Sequence, residues 1–232
     1  MNFETKRRMP VEEDWFDRNT PAILYGLMQS EAEYDQEVKK LLYPKKKLKA
    51  AMSDLKKYLG IKAKRNESFN LKVKKLLEAG YLSEDNDSYY FPYKEENKYL
   101  LMPKSVLRDL CRRTNDYALK IYVYLAFRSN AIKNYKFTIC ELALMMGYST
   151  NGGTSREGIL KALTTLKALK YLDYDKKVVK IDNVLTTNLY VKDISLKIPT
   201  ELIKEEKDLR KIHKGEDVET AVAAKNKNLF EF

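Results

Sequence analysis

Lysine and arginine are concentrated in one stretch of the chain, which runs from Val38 to Lys75. This stretch holds 14 of these residues against two carboxylates, Asp54 and Glu67, whereas the whole chain has a net charge of +11. The first 37 residues are mildly acidic by contrast. Such a basic stretch attracts polyanions, of which nucleic acid comes first and an anionic membrane surface second. A solvated lysine-rich face is the alternative interpretation of the same pattern.

The residue types that catalysis and metal binding require are scarce. His213 is the single histidine, so a His-His metal pair is excluded, and a Ser-His-acid triad would depend on a residue near the C-terminus. The phosphate-binding pattern Gly-x-x-x-x-Gly-Lys-Ser/Thr is absent. The one Gly-Gly pair, Gly152-Gly153, is explained by a turn. We therefore expect a protein that is not an enzyme and that needs no metal and no cofactor.

The two cysteines and the hydropathy bear on location. Cys111 and Cys140 both fall within helical patterns, which indicates buried free thiols in a reducing compartment. No apolar run approaches the length of about 20 residues that a membrane span needs, and residues 1–8 lack the apolar core of a signal peptide. We expect a cytoplasmic protein that has no membrane partner.

The basic stretch coincides with a pattern of helices and turns. Thr20-Pro21 is typical of an N-cap followed by proline at the first helical position. A second helix is predicted to end at Gly60 and a third at Gly80, and the third is followed by a hairpin over residues 81–91. Three helices followed by a hairpin are the winged-helix layout. We predict a first winged-helix domain over residues 1–93, with a basic helix-turn-helix at about 45–80.

The same order of elements returns after a polar link at residues 94–98. Helices are predicted to begin at Pro103, at Asn115, at Thr138 and at Thr154, the last two with capping-box spacing to Glu141 and Glu157. A hairpin follows, with a turn predicted at residues 175–177. These patterns predict a second winged-helix domain over residues 98–194. Residues 195–232 are predicted to be a charged helix and a flexible tail. The expected fold class is mainly α with small β-hairpins (α+β).

A sequence repeat supports this division. Residues 76–82, Leu-Leu-Glu-Ala-Gly-Tyr-Leu, resemble residues 166–172, Leu-Lys-Ala-Leu-Lys-Tyr-Leu. Two copies in the same element order are a stronger signal than either copy alone.

The third helix of each domain is the predicted recognition helix, because its N-terminal residues can reach base edges in the major groove of double-stranded DNA. Arg156 is the candidate for a guanine contact, with a phosphate contact or a pairing near Glu157 as the alternatives. Lysines of the first domain are expected to bind phosphate, and Lys72 and Lys75, with Lys74 beside them, are predicted to lie on the outward face of its recognition helix. The candidate DNA-binding residues are Lys62, Lys64, Arg65, Lys72 and Lys75 in the first domain, Thr154, Ser155, Arg156, Lys161 and Thr165 in the second recognition helix, and Lys176, Lys177 and Lys180 in the second wing.

The first wing departs from this pattern. It carries Glu84, Asp85 and Asp87, and carboxylates repel phosphate. Contact with a protein is the alternative expectation for this hairpin.

Residues 99–191 resemble bacterial plasmid and phage replication initiators of the RepA N-domain and tandem winged-helix types. The resemblance is carried by Tyr99-Leu100-Leu101-Met102-Pro103-Lys104, by the helix residues 119–128, by Glu141-Leu142-Ala143 and by Leu189-Tyr190-Val191. It implies binding to repeated origin DNA, control by a dimer-monomer equilibrium, and recruitment of host replication proteins such as the helicase machinery.

Two other functions fit the same patterns. A transcriptional regulator would use the same domains together with a dimerisation helix, for which residues 200–213 are the candidate. A protein-binding adaptor would have weakly charged recognition helices, and the basic run in the first domain argues against it.

Overall fold

A computed structural model describes residues 6–59, 66–93, 97–148, 153–181, 184–200 and 202–203. The fold is mixed α+β, as predicted, with helices and small antiparallel sheets. In chain order, its elements are β1 Lys6–Pro10, α1 Glu13–Phe16, α2 Ala22–Glu31, β2 Glu33–Asp35, β3 Lys40–Pro44, α3 Lys45–Tyr58, α4 Asn66–Glu78, β4 Ser83–Glu84, β5 Ser88–Tyr90, β6 Tyr99–Pro103, α5 Lys104–Arg113, α6 Asp116–Ala131, β7 Lys136–Phe137, α7 Ile139–Met145, α8 Gly153–Ala168, β8 Leu172–Ile181 and β9 Val184–Ile194.

Residues 1–197 form one compact unit, and residues 198–232 form a second. In the second unit, the backbone N–H groups of Leu202 and Ile203 donate to the carbonyl of Pro199, which forms a helical turn. The rest of the predicted charged helix, up to His213, lies outside the described residues.

Two segments of the first unit share one topology. Residues 22–90, here called the N-terminal module, run helix α2, strand β3, helices α3 and α4, strands β4 and β5. Residues 116–194, the C-terminal module, run α6, β7, α7, α8, β8, β9. The sheet orders correspond as well, with β3-β5-β4 in one module and β7-β9-β8 in the other. The N-terminal module adds strand β2 at the edge, beside β3.

The sequence repeat also corresponds to a repeat in the structure. Helices α4 and α8 end in the same way, because the N–H groups of Tyr81 and Tyr171 return to the carbonyls of Leu76 and Leu166, five residues back. The residue before each tyrosine adopts the left-handed conformation that this ending needs. In α4 it is Gly80, with φ +73°, and in α8 it is Lys170, with φ +60°.

The core is built around the first helix of each module. Every residue of α2 from Ala22 to Ser30 is buried, as is every residue of α6 from Ala118 to Ala126. Gly26 in the middle of α2 allows α5 to approach closely, because a Cβ at this position would lie 2.5 Å from the Cys111 Sγ. Strand β1 pairs with β6 in antiparallel register, so the N-terminus is joined to the strand that precedes α5.

Two local predictions in the N-terminal part differ from the structure. Helix α2 begins at Ala22 and Pro21 is its N-cap residue, so Thr20 is not the cap. The Thr20 hydroxyl instead donates to the Asp14 carbonyl, 3.0 Å away. Strands β1 and β2 were not predicted, because each is short and is defined by a partner strand rather than by its own pattern.

Two predictions in the C-terminal part are also wrong. Residues 175–177 are not a turn, because β8 continues through them to Ile181 and pairs with β9 along its length. Cys140 is exposed, whereas Cys111 is buried as predicted. Cys140 lies in the first turn of the short helix α7, which turns Leu142 and Ala143 to the core instead.

Candidate nucleic-acid interface

Helix α3 carries the first part of the basic stretch, and some of its lysines are engaged within the molecule. The Lys45 Nζ lies 2.7 Å from the Glu84 Oε2, and the hydrogen bond to Glu84 raises the pKa of Lys45. The Lys47 Nζ donates to the carbonyl of Glu31, 3.0 Å away, at the end of α2. Lys46 and Lys49 are exposed. These two residues were not singled out in the sequence, although their spacing of three places them on one helical face.

Helix α4 does not present the residues that were predicted for its outer face. Lys72 has 28% of its side chain exposed, and its Nζ lies 3.8 Å from the Asp116 Oδ2 at the start of α6. The predicted outward position of Lys72 is therefore wrong, because this lysine points toward the C-terminal module. Lys75 is half-buried. The exposed residues of α4 are Glu67, Asn70, Leu71, Lys74 and Glu78.

This outer face of α4 is not basic. It carries two carboxylates against one ammonium, and the Lys74 Nζ lies 3.3 Å from the Glu78 Oε1. Lys62, Lys64 and Arg65, which were predicted to bind phosphate, lie outside the described residues.

The hairpin of the N-terminal module is formed by β4 and β5 and closes through an acidic turn. The Asp85 Oδ1 accepts hydrogen bonds from the backbone N–H groups of Asp87 and Ser88, at 3.0 and 2.7 Å. These two bonds lower the pKa of Asp85. Asp85 and Asp87 are exposed, so this hairpin presents negative charge to solvent.

Helix α8 presents a different surface from that of α4. Arg156 and Lys161 are exposed, together with Leu160 and Thr164. Thr165 is half-buried, and its hydroxyl donates to the carbonyl of Lys161, 2.8 Å away. The backbone of Thr154 and Ser155 lies in the first turn of this helix, and their side chains are not among the described ones. The helix begins one residue earlier than predicted, at Gly153.

Helix α7 precedes α8 and is fixed at its N-terminus by side chains. The Thr138 Oγ1 accepts from the N–H of Glu141 at 3.0 Å, which is the first half of the predicted capping box. The Glu141 Oε1 accepts hydrogen bonds from the hydroxyls of Tyr124 and Tyr135. These bonds hold α7 against α6 and so fix the position from which α8 begins.

The hairpin of the C-terminal module carries exposed lysines along one strand. Lys176 and Lys177 lie opposite Leu189 and Asn188 in the middle of β8 and not at a tip. The Lys177 Nζ lies 5.3 Å from the centre of the Tyr190 ring. Lys180 pairs with Leu185, one residue pair from the end of the described ladder, and its side chain is not among the described ones.

Ion pairs join the C-terminal end of α8 to the hairpin and join the two strands of the hairpin to each other. The Lys167 Nζ lies 2.9 Å from the Asp173 Oδ1, and the hydrogen bond from Lys167 lowers the pKa of Asp173. The Lys192 Nζ lies 3.4 Å from the Asp175 Oδ1. These charges compensate one another. Within the described residues, Arg156 and Lys161 on α8 and Lys176 and Lys177 on β8 are exposed and take no part in these ion pairs, and Glu157 is exposed one turn before Lys161.

Lys120 is a buried cation of α6, at the contact between the C-terminal module and the segment that precedes α2. Its side chain is only 1% exposed, and its Nζ donates to the Asp17 carbonyl, 2.6 Å away. Burial lowers the pKa of Lys120 to about 8, although the nearby carboxylates of Asp116 and Asp17 oppose the shift. A group so enclosed cannot reach a ligand, so Lys120 belongs to the structure of the contact.

The described residues contain no cluster of three His, Cys, Asp or Glu side chains that could hold a metal ion. Within the same residues, every helix is too short or too polar to cross a bilayer. Comparison of the chain with protein-family models, with curated proteins and with solved structures finds no match.

Proposed function

We propose that this chain is a sequence-specific double-stranded DNA-binding protein with two winged-helix domains, and that it initiates plasmid or phage DNA replication in the cytoplasm. The topology of the two modules supports the domain assignment. A winged helix has one helix, a strand, two helices and a hairpin whose last strand pairs with the first, and both modules have this order of helices and strands.

One observation carries the proposal. Helix α8 holds the position of a recognition helix, and it exposes Arg156 and Lys161 beside a hairpin that exposes Lys176 and Lys177. Arginine can donate two parallel hydrogen bonds to guanine, and lysine suits phosphate. In this arrangement, α8 reads the major groove while the hairpin lysines bind the adjacent backbone.

The two modules would then have different roles in DNA binding. The exposed lysines of α3, Lys46 and Lys49, supply phosphate contacts, which position a protein on DNA without reading sequence. Helix α4 contributes little to DNA binding, since its exposed face carries more negative than positive charge.

The surface of the N-terminal module favours a second role, which is contact with a protein. Leu71 on α4 is 52% exposed between Glu67 and Lys74, and the β4–β5 hairpin beside this helix is acidic. If the chain is an initiator, the expected partner is a host replication protein or a second copy of the chain.

The first experiment is a titration of random duplex DNA over a series of salt concentrations. We expect affinity to fall steeply as salt rises, because bound phosphates release counterions. On a duplex that carries the preferred sequence, obtained by the selection described below, Arg156→Ala is expected to weaken binding by about 5- to 150-fold. Arg112→Ala is the charge-matched control, because Arg112 is exposed on α5, outside both modules, and should change affinity little.

Selection of binding sites from random duplexes distinguishes the functions. Spaced direct repeats support an initiator, whereas a single palindrome supports a transcriptional regulator. Absence of binding at low salt would overturn the DNA proposal and leave the adaptor.

A further inference from the structure

The two-stranded sheet of β1 and β6 has one buried face and one open face. Arg7, Met9, Leu100 and Met102 are buried on the inner side. Their neighbours along each strand point the other way, and the register places Lys6 opposite Pro103, Arg8 opposite Leu101 and Pro10 opposite Tyr99. These six residues form what we call the outer face of the ribbon, on which Lys6, Arg8 and Leu101 are exposed, Tyr99 and Pro103 are half-buried, and Pro10 is buried.

The outer face carries a stack of flat side chains. The guanidinium carbon of Arg8 lies 4.0 Å from the centre of the Tyr93 ring. The rings of Tyr93 and Tyr99 have their centres 5.4 Å apart and are tilted by 37°. Tyr93 is 52% exposed and Leu101 is 50% exposed, so the stack is open to solvent beside an aliphatic side chain.

The charge of this face is positive. Lys6, Arg8 and Lys98 are exposed, and none of the six outer-face residues is a carboxylate. Glu12 and Asp14 line the cavity at the Pro10 and Tyr99 end, so the positive charge is concentrated at Lys6 and Arg8. A surface that combines ring faces, a guanidinium plane and lysines can stack on nucleobases and bind the phosphates between them. A duplex cannot use it in this way, because its base faces are covered by neighbouring base pairs.

We propose that the outer face of the β1–β6 ribbon, with Tyr93, binds single-stranded DNA. DNA rather than RNA is the strand that the proposed function supplies, and the choice of sugar rests on that function. The ribbon lies outside both modules, so this proposal does not depend on recognition of a duplex by α8.

The test is fluorescence anisotropy of the full chain with a labelled thymidine oligonucleotide about 12 nucleotides long. Tyr93→Ala is expected to weaken binding at least about 5-fold, which is the loss of one stacked base. Tyr93→Phe should retain the affinity, since it keeps the ring. Tyr34→Ala is the matched control, because Tyr34 is 61% exposed on β2, which belongs to a different sheet from the ribbon.

Arg8→Gln is a second variant that removes the cation and leaves Tyr93 in place, and it should also weaken binding to the single strand. Affinity for a duplex of random sequence should stay unchanged in Tyr93→Ala, while Arg156→Ala should leave binding to the single strand unchanged. Equal affinity of Tyr93→Ala and Tyr34→Ala for the oligonucleotide would overturn the proposal. Tighter binding of the corresponding uridine ribonucleotide would overturn the preference for DNA.

Discussion

At the scale of single residues, Lys120 makes the stability of the fold depend on pH. Its ammonium group is removed from water and is stabilised by its hydrogen bond to the Asp17 carbonyl and by the neighbouring carboxylates of Asp116 and Asp17. Its pKa in the folded chain is about 8, below the ordinary value of 10.5. Between these two pH values, the unfolded chain binds the proton more strongly than the folded chain does.

The stability of the protein should therefore rise with pH over this range, since the unfolded state carries the additional proton. Relative to Lys120→Met, the free energy of unfolding of the wild type is expected to increase by about 3 kcal/mol between pH 8 and 10.5. Urea unfolding of both proteins at several pH values measures this difference, and the titration of other groups cancels in it. A difference that does not change with pH would contradict the assignment.

Contacts between residues that are distant in sequence, such as that of Lys120, could not be predicted from the sequence. The helical pattern over residues 119–126 predicts α6 and its inward aliphatic residues correctly. It does not reveal that Lys120 is buried, because the acceptor belongs to a residue 103 positions away. The position of Lys72 was wrong for the same reason, since its partner Asp116 belongs to the other module.

At the scale of elements, helices α4 and α8 end with the same backbone conformation but with different residues, Gly80 in α4 and Lys170 in α8. Both need a left-handed residue, which glycine adopts freely and lysine adopts at a cost of about 1 kcal/mol. Lys170→Gly should therefore raise the free energy of unfolding by about 0.5–1 kcal/mol.

Gly80→Ala is the reciprocal change and should lower the free energy of unfolding by about 1 kcal/mol, because a Cβ there has nothing within 4 Å and only the backbone is affected. Lys170→Asn is the control for the lost charge, since asparagine also tolerates this conformation. Thermal and urea unfolding measure all three variants. If Lys170→Gly is no more stable than the wild type, the left-handed backbone at this position carries no strain.

Helices and their ends were predicted better than strands. The repeat of Leu76–Leu82 in residues 166–172 correctly predicted two equivalent helix ends, because this ending is a local pattern of hydrogen bonds. The turn predicted at residues 175–177 was wrong, because Asp, Lys and Lys occur both in turns and in exposed strands, and here β8 continues through them.

Helical spacing correctly predicted that Arg156 and Lys161 are exposed on α8. It did not predict the ion pair of Lys167 with Asp173, because this contact forms only when α8 packs beside β8.

At the scale of the whole molecule, the two modules are connected by more than the chain. The Asp116 Oδ1 of the C-terminal module accepts a hydrogen bond from the N–H of Ile23 in the N-terminal module, 2.7 Å away. The segments outside the modules add to this contact, because Cys111 of α5 lies against Gly26 of α2 and strand β1 pairs with β6. The boundary predicted from sequence between residues 93 and 98 therefore falls inside one compact unit. A sequence repeat indicates that two folds are present, but it does not indicate how much surface they bury against each other.

These contacts predict that the two modules unfold together. Trp15 is the single tryptophan and packs against Tyr25 and Tyr81 of the N-terminal module, whereas Ala162 is buried in α8 of the C-terminal module. In a Cys111→Ala, Cys140→Ser and Ala162→Cys background, the urea midpoints from Trp15 fluorescence and from pulsed maleimide labelling of the introduced thiol should coincide.

Asp116→Ala tests the cause of this cooperativity. It removes the acceptor of the Ile23 N–H and the partner of Lys72, so it should lower the free energy of unfolding by about 1–3 kcal/mol. Both midpoints should move by the same amount, because the carboxylate belongs to the contact between the modules rather than to either one. Midpoints that separate, in the wild type or in this variant, would mean that each module is stable alone and that β1 and α5 are accessory to it.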